Sequence, residues 1–214
     1  MASRRAGAKA RPWAVQTPRG MAEVELTIPD RAPSALLALG HGAGGGVDAP
    51  DLRAVRAAAL DAGLAVARIT QPYRVAGRRA PAPAPQLDVA WTAVVEALRA
   101  DRPALFAVPL VVGGRSSGAR VACRTAAALG AAAVVALAFP LHPPGRPERS
   151  RAGELDGAVP TLVVNGDRDP FGVPRPRPGV TVVTLPGQKH DLRGDLDAVA
   201  EAVLGFLRDQ GHAR

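Results

Sequence analysis

The stretch Leu110-Val-Val-Gly-Gly-Arg-Ser-Ser-Gly118 decides the interpretation of the whole chain. It begins as a short apolar run, passes through a serine in the pattern Gly-x-Ser-x-Gly, and continues into a helical segment that ends near Leu129. A serine in a tight turn between a buried strand and a helix exposes its hydroxyl, and the positive end of the helix points at it. We therefore interpret Ser116 as a candidate nucleophile. The neighbouring Ser117 lacks the flanking glycines.

Apolar runs alternate with longer helical segments on both sides of this motif. Predicted strands lie at 34–39, 64–69, 110–112, 133–138, 161–164 and 180–185, and predicted helices at 50–62, 87–100, 117–129 and 192–207. Strands separated by helices pair in parallel, because each crossover returns the chain to the same edge. The runs are apolar on both faces, which is typical of a sheet covered by helices on both sides. The sequence thus predicts an α/β fold with a doubly wound, mostly parallel sheet.

Two segments depart from this alternation. Residues 23–28 alternate between polar and apolar side chains, which predicts an exposed antiparallel strand at one edge of the sheet. Residues 71–85 contain four prolines, and we expect no regular structure there. Ligands of doubly wound sheets bind at the carboxyl ends of the strands, so the loops after the strands are where functional residues are expected.

Length and composition exclude several classes of protein. The 214 residues are 47% hydrophobic and 21% charged, which is compatible with a folded domain and not with disorder throughout. The single cysteine excludes an intramolecular disulfide and a cysteine-based metal site. We expect a basic, disordered tail at 1–20, one domain at 21–210 and a short tail at 211–214.

The charge and hydropathy patterns bear on partners and location. The net charge is +8, but aromatic residues make up only 3% of the chain and the basic residues are scattered, so no nucleic-acid site is predicted. No apolar run is long enough to span a membrane, and the N-terminus lacks the apolar segment of a secretory signal. We expect a cytoplasmic protein whose partner is a small molecule. The sequence does not indicate an oligomeric state.

A serine nucleophile needs a base and an acid that orients the base. Among four histidines, His190 follows the last predicted strand and precedes the final helix, which predicts that it reaches the turn at Ser116. Asp167 and Asp169 both follow the strand at 161–164; we favour Asp169 because its wider spacing clears the strand end, and Asp167 stays open as the alternative. The chain order Ser, Asp, His is the order found in α/β-hydrolases.

A glycine-rich loop, Gly40-His-Gly-Ala-Gly-Gly-Gly46, follows the first central strand. Acyl transfer places negative charge on a carbonyl oxygen, which two backbone N–H groups can stabilise. We predict Ser117 as one donor and Ala43 as the other, with Gly44 next, and His41 as an anchor of the loop. The loop also fits Gly-x-Gly-x-x-Gly, but no helix follows at once and no acid ends the next strand, so no dinucleotide or other cofactor is predicted, and no metal site.

These motifs together resemble the α/β-hydrolase superfamily, in its small, capless, dienelactone-hydrolase-like branch. The matching blocks are Gly-His-Gly-Ala-Gly-Gly, Gly-x-Ser-x-Gly, Gly-Asp-Arg-Asp-Pro-Phe-Gly and Lys-His-Asp, in the family's order. Dienelactone hydrolases themselves use cysteine at the nucleophile position, whereas this chain has serine. About 20 residues separate the predicted strand that ends at residue 138 from the strand at 161–164, which precedes the acid. This connection is too short for a cap domain. The resemblance implies a triad of Ser116, His190 and Asp169.

The predicted function follows from these residues. We expect a serine hydrolase of esterase or thioesterase type that forms an acyl-enzyme with a small acyl ester. Two alternatives are a non-catalytic binding protein with the same fold and an anion-binding partner protein. The predicted substrate-binding positions are His41, Gly42, Gly44, Arg115 and His142.

Overall fold

The computed structural model of the protein describes residues 12–214 and contains one eight-stranded sheet. The strands are β1 (Trp13–Thr17), β2 (Gly20–Thr27), β3 (Leu36–Gly40), β4 (Ala65–Thr70), β5 (Leu110–Arg115), β6 (Ala133–Leu137), β7 (Thr161–Gly166) and β8 (Val180–Leu185). The α-helices are α1 (Pro50–Asp61), α2 (Pro72–Val75), α3 (Ala84–Asp101), α4 (Ser117–Leu129) and α5 (Leu196–Asp209), and Pro103–Phe106 and Ala152–Glu154 form 3-10 helices.

The strand order is β1-β2-β4-β3-β5-β6-β7-β8. The six strands from β3 to β8 pair in parallel, whereas β2 pairs antiparallel with both β1 and β4. The predicted doubly wound, mostly parallel α/β sheet is therefore confirmed. The carboxyl ends of its parallel strands all lie on the same side of the sheet. This brings the loops after β3, β5, β7 and β8 together.

Helices cover both faces of the sheet. On one face α3 and α4 pack together, and Trp91 and Val94 of α3 belong to the same buried cluster as Val121 of α4. On the other face α1 packs against α5, and Leu52 and Phe206 belong to a second cluster. Every residue of β3, β6 and β7 is buried, because these central strands have a helix layer on each side.

The structure of the amino-terminal region differs from two predictions. Residues 1–11 of the predicted tail lie outside the described residues, but Trp13–Thr17 forms β1, so the boundary of the tail at residue 20 is wrong. Val15 faces the core and is buried. The predicted edge strand at 23–28 overlaps β2, which ends at Thr27. This strand is antiparallel as expected but lies one position in from the edge, because β1 pairs with its outer side.

The predictions for the proline-rich segment and for the start of the last helix also need correction. The proline-rich segment at 71–85 contains α2 and the start of α3, because its prolines at 72 and 85 fall in the first turn of a helix, where the missing N–H costs nothing. The last helix begins at Leu196, four residues later than predicted. Its N-cap is Asp195, whose carboxylate accepts a hydrogen bond from the N–H of Ala198 at 2.9 Å.

The chain between β6 and β7 is short. Residues 138–160 contain one regular element, the three-residue 3-10 helix Ala152–Glu154. The prediction that no cap domain covers the sheet at this point is confirmed. The carboxyl ends of the neighbouring strands are therefore approached directly by the surrounding loops.

Candidate active site

Ser116 lies in a sharp turn between β5 and α4. Its φ of 53° and ψ of −108° lie in a region that L-residues rarely adopt. The turn packs against the end of β3: a Cβ atom at Gly114 would lie 2.5 Å from the carbonyl oxygen of Gly40, and one at Gly118 would lie 2.6 Å from the same residue. The two glycines of Gly-x-Ser-x-Gly are needed for this close approach, which presents the serine hydroxyl above the sheet.

His190 lies in the loop between β8 and α5, next to the serine. Its Nε2 atom is 2.9 Å from Oγ of Ser116 and its Nδ1 atom is 2.8 Å from Oδ2 of Asp169. The loop approaches β7 closely because Gly166 has no side chain; a Cβ there would clash with the carbonyl oxygen of Gln188. The imidazole also packs on Phe171, with ring centroids 4.2 Å apart. The structure thus brings together the three side chains predicted as a triad.

The carboxylate of Asp169 is held by its own loop. Its side chain is fully buried, and it accepts hydrogen bonds from the N–H of Phe171 at 2.9 Å and the side-chain amide of Asn165 at 3.4 Å. Asp167, the alternative acid, is exposed, and its N–H donates to the carbonyl of Leu185. In this geometry the carboxylate accepts from Nδ1–H of His190, which leaves Nε2 free to accept the hydroxyl proton of the serine.

The glycine-rich loop lies beside the serine. A Cβ atom at Gly42 would be 3.6 Å from Cβ of Ser116. Nδ1 of the buried His41 is 2.9 Å from the carbonyl oxygen of Gly42, and its Nε2 accepts a hydrogen bond from the N–H of Gln71 at 3.0 Å. Because Nε2 is an acceptor, the proton sits on Nδ1 and is donated to Gly42.

These contacts orient the N–H of Ala43. The Gly42–Ala43 peptide is planar and trans, so holding the carbonyl of Gly42 also sets the direction of the N–H of Ala43. The hydroxyl of Tyr73 donates to the carbonyl of Ala43 at 2.9 Å and fixes the next peptide. The other predicted donor, Ser117, is the first residue of α4 and directly follows the serine.

Protonation of His41 should loosen this loop. Burial lowers the pKa of His41 below its usual value of 6.5, so below that pH the unfolded chain binds a proton that the folded chain does not, and acid favours unfolding. We expect the free energy of unfolding of the wild type to fall on acidification below pH 6.5, approaching a loss of about 1.4 kcal/mol per pH unit relative to His41→Gln. Urea unfolding of both proteins from pH 7 to 5 measures this difference, and parallel curves would contradict it.

The predicted substrate-binding positions differ in their surroundings. His41 is buried with both ring nitrogens bonded to main chain, so it holds the loop and does not face a ligand. A Cβ atom at Gly44 would have no neighbour within 4 Å, which places this position at open space. His142 is half-buried, with Nδ1 2.9 Å from the carbonyl oxygen of Pro143. The guanidinium of Arg115 is paired with Asp51.

Several residues of the site were not singled out from the sequence. Tyr73 is the only tyrosine of the chain and follows β4 at its carboxyl end, which is a signal that could have identified it. Asn165, at the end of β7, bonds to both the main chain and the carboxylate of Asp169. Asp51 gave no signal, because an acidic residue in the first turn of a helix is common.

The doubly wound sheet and the strand–serine–helix turn, followed in the chain by an aspartate and a histidine, define a protein of the α/β-hydrolase fold. The family model for "Alpha/beta hydrolase domain" matches residues 33–193, and the chain belongs to this family. No curated protein is significantly similar in sequence.

Solved structures share this fold over nearly the whole chain. A serine hydrolase from Xanthomonas campestris, described as without a lid, is 23% identical, with 95% of each chain covered and a TM-score of 0.73. Dienelactone hydrolase from Anabaena variabilis is 21% identical, with 96% of this chain and 100% of that chain covered and a TM-score of 0.72. Est1E from Butyrivibrio proteoclasticus is 18% identical, with 94% and 99% covered and a TM-score of 0.71. The predicted resemblance to capless and dienelactone hydrolases is confirmed at the level of the fold.

Residues 12–214 lack two further features. No group of three or more His, Cys, Asp or Glu side chains in this part of the chain is arranged to hold a metal ion. No helix in the same range is long and apolar enough to cross a membrane.

Proposed function

We propose that the protein is a serine hydrolase of esterase or thioesterase type that acts on a small acyl ester. The observation that carries the proposal is the continuous pair of hydrogen bonds from Ser116 through His190 to Asp169, at 2.9 and 2.8 Å. Membership in the α/β-hydrolase family and a site without a cap domain support the same proposal.

In the acylation step, Oγ of Ser116 attacks the carbonyl carbon of the ester and its proton passes to Nε2 of His190. The imidazolium that forms is stabilised by the buried carboxylate of Asp169. The carbon–oxygen or carbon–sulfur bond of the leaving group then breaks. The leaving alcohol or thiol takes the proton from Nε2, and the acyl group remains on the serine.

In the deacylation step, water replaces the leaving group. His190 removes a proton from the water, which attacks the acyl carbon, and the same proton is returned to Oγ of Ser116 as the bond to the acyl group breaks. The products are a carboxylic acid and the regenerated serine. Both tetrahedral intermediates carry negative charge on the former carbonyl oxygen. The N–H groups of Ala43 and Ser117 are the proposed donors to it, each contributing about 3 kcal/mol.

A fluorophosphonate probe tests the nucleophile directly. We expect stoichiometric labelling of the folded protein, with the adduct mapped to Ser116 by mass spectrometry of the peptides, because the probe reacts only with an activated serine. Heat-denatured protein is the control, since its serines are no longer activated. An adduct on any other residue, or equal labelling of the denatured protein, would contradict the assignment.

A substrate panel tests the class of reaction. Esters and thioesters with acyl groups of graded length are expected to include at least one substrate. Feruloyl esters belong in the panel because Est1E, which shares the fold, is known with ferulic acid bound. Labelling without turnover of any ester or thioester would direct the search to other acyl bonds. Neither labelling nor turnover would favour the non-catalytic binding protein.

A further inference from the structure

The side chain of Arg115, directly before the serine, contacts three separate segments of the site. Its Nε atom is 2.8 Å from Oδ2 of Asp51 at the start of α1. Its Nη2 atom donates to the carbonyl oxygen of His190 at 3.0 Å. Its Nη1 atom faces the glycine-rich loop, where a Cβ atom at Gly42 would lie 3.0 Å away. One guanidinium thus lies between the elements that carry the nucleophile, the base and a proposed oxyanion donor.

The pair with Asp51 is buried. The side chain of Asp51 is 0% exposed and that of Arg115 is 16% exposed. Burial raises the pKa of Asp51, and the charge of Arg115 opposes this rise. Removing two charges from water costs several kcal/mol, so a buried ion pair contributes little net stability. The pair is therefore better explained by a role in the site than by its contribution to stability.

The carbonyl of His190 lies in a loop that is otherwise held on either side of it. The carbonyl of Gln188 accepts from the N–H of Arg168 at 2.9 Å, and the N–H of Leu192 donates to Lys189 at 3.1 Å. Within residues 12–214, the hydrogen bond to the carbonyl oxygen of His190 comes from Arg115. This contact joins the backbone of the base to the residue that precedes the nucleophile.

We propose that Arg115, oriented by Asp51, is a positioning residue that sets the distance between His190 and Ser116. The proposal rests on the hydrolase function proposed above. Arg115 bonds to the main chain of His190 and not to its imidazole, so it takes no proton and acts only through geometry. A displacement of about 1 Å in a reacting group can lower the rate about 100-fold.

The double variant Arg115→Gln/Asp51→Asn tests this role. It removes both charges together, so no unpaired buried charge remains, and the amides can still bond to each other. We expect kcat to fall about 10- to 100-fold with KM changed less than about threefold, because the reacting groups are misplaced while the substrate pocket is kept. Thermal unfolding is expected to stay close to that of the wild type.

Arg115→Lys provides a second variant that keeps the charge beside Asp51. A lysine ammonium is one point of contact, so it cannot bond to Asp51 and to His190 with the geometry of a planar guanidinium. We expect a stable protein with kcat lowered at least about fivefold. The control is Arg124→Gln/Asp88→Asn, which removes a partly buried ion pair (2.6 Å) between α3 and α4, with side chains 19% and 24% exposed; Glu154, the second partner of Arg124, keeps its pair with Arg120. Its kcat should equal that of the wild type.

Wild-type kcat in both Arg115 variants would overturn the positioning role and leave the proposed hydrolase intact. An equal loss of kcat in the control would show a general effect of breaking ion pairs, and would overturn the positioning role too. If the wild type neither hydrolyses esters nor reacts with fluorophosphonate, the proposed function fails. Amide hydrogen exchange at Leu192, whose N–H donates to the carbonyl of Lys189 at 3.1 Å, then decides the positioning role: exchange at least about tenfold faster in the double variant is expected, and an unchanged rate refutes it.

Discussion

Replacing Ser116 with alanine is expected to lower kcat for ester hydrolysis by about 10⁶-fold and to abolish labelling by fluorophosphonate. The substitution removes the only atom that would form the covalent intermediate, while His190 and Asp169 remain bonded to each other. The fold should persist, because alanine keeps the Cβ atom that already occupies this position at a φ of 53°. Initial rates on the best ester of the panel measure the loss, and circular dichroism checks the fold.

A control serine separates this effect from a general one. Ser34 lies near the opposite end of the sheet, where its hydroxyl donates to the carbonyl of His212 at 2.9 Å. Ser34→Ala should keep the wild-type kcat even where it lowers the thermal stability. Hydrolysis by Ser116→Ala within about 100-fold of the wild type would mean that another group attacks the ester, and the proposed mechanism would be wrong.

Asp169→Asn is expected to lower kcat by about 10⁴-fold. An asparagine amide at this position can donate to Nδ1 of His190, which favours the tautomer with the proton on Nε2. That tautomer cannot accept the proton of Ser116, so the base is present but in the wrong form. The rest of the site should be unchanged, because the two side chains have nearly the same shape.

Asp167→Asn is the matched control, since it makes the same chemical change two residues away. Asp167 is exposed, and kcat should stay within about twofold of the wild type. The reverse pattern, with Asp167→Asn inactive and Asp169→Asn active, would show that His190 pairs with the other acid in solution. The comparison therefore decides between the two aspartates that the sequence alone left open.

The sequence predicted the parts of the site that are fixed by local pattern and by topology. The turn at Ser116 is local, because two glycines and a following helix are sufficient to define it. His190 and Asp169 were predicted from their positions after parallel strands, whose carboxyl ends necessarily meet. The contacts of Arg115 could not be predicted in this way. Its ion pair with Asp51 depends on how α1 packs across the end of the sheet, which no local pattern encodes.

The fold was predicted well in its centre and less well at its margins. Buried parallel strands such as β6 are continuous apolar runs that can be recognised without their neighbours. The strand β1 is five residues long and follows a basic segment, so its composition resembled a tail. It is a strand because the outer side of β2 offers it a hydrogen-bonding partner and because Val15 reaches the core.

The short connection between β6 and β7 has a consequence for how catalysis would be limited. Because residues 138–160 contain only a three-residue 3-10 helix and no cap domain, substrate entry and product exit do not require the opening of a domain. Turnover of a good ester should then respond to the leaving-group ability of its alcohol and only weakly to solvent viscosity. The chemical step, and not a conformational change, would be rate-limiting in such an enzyme.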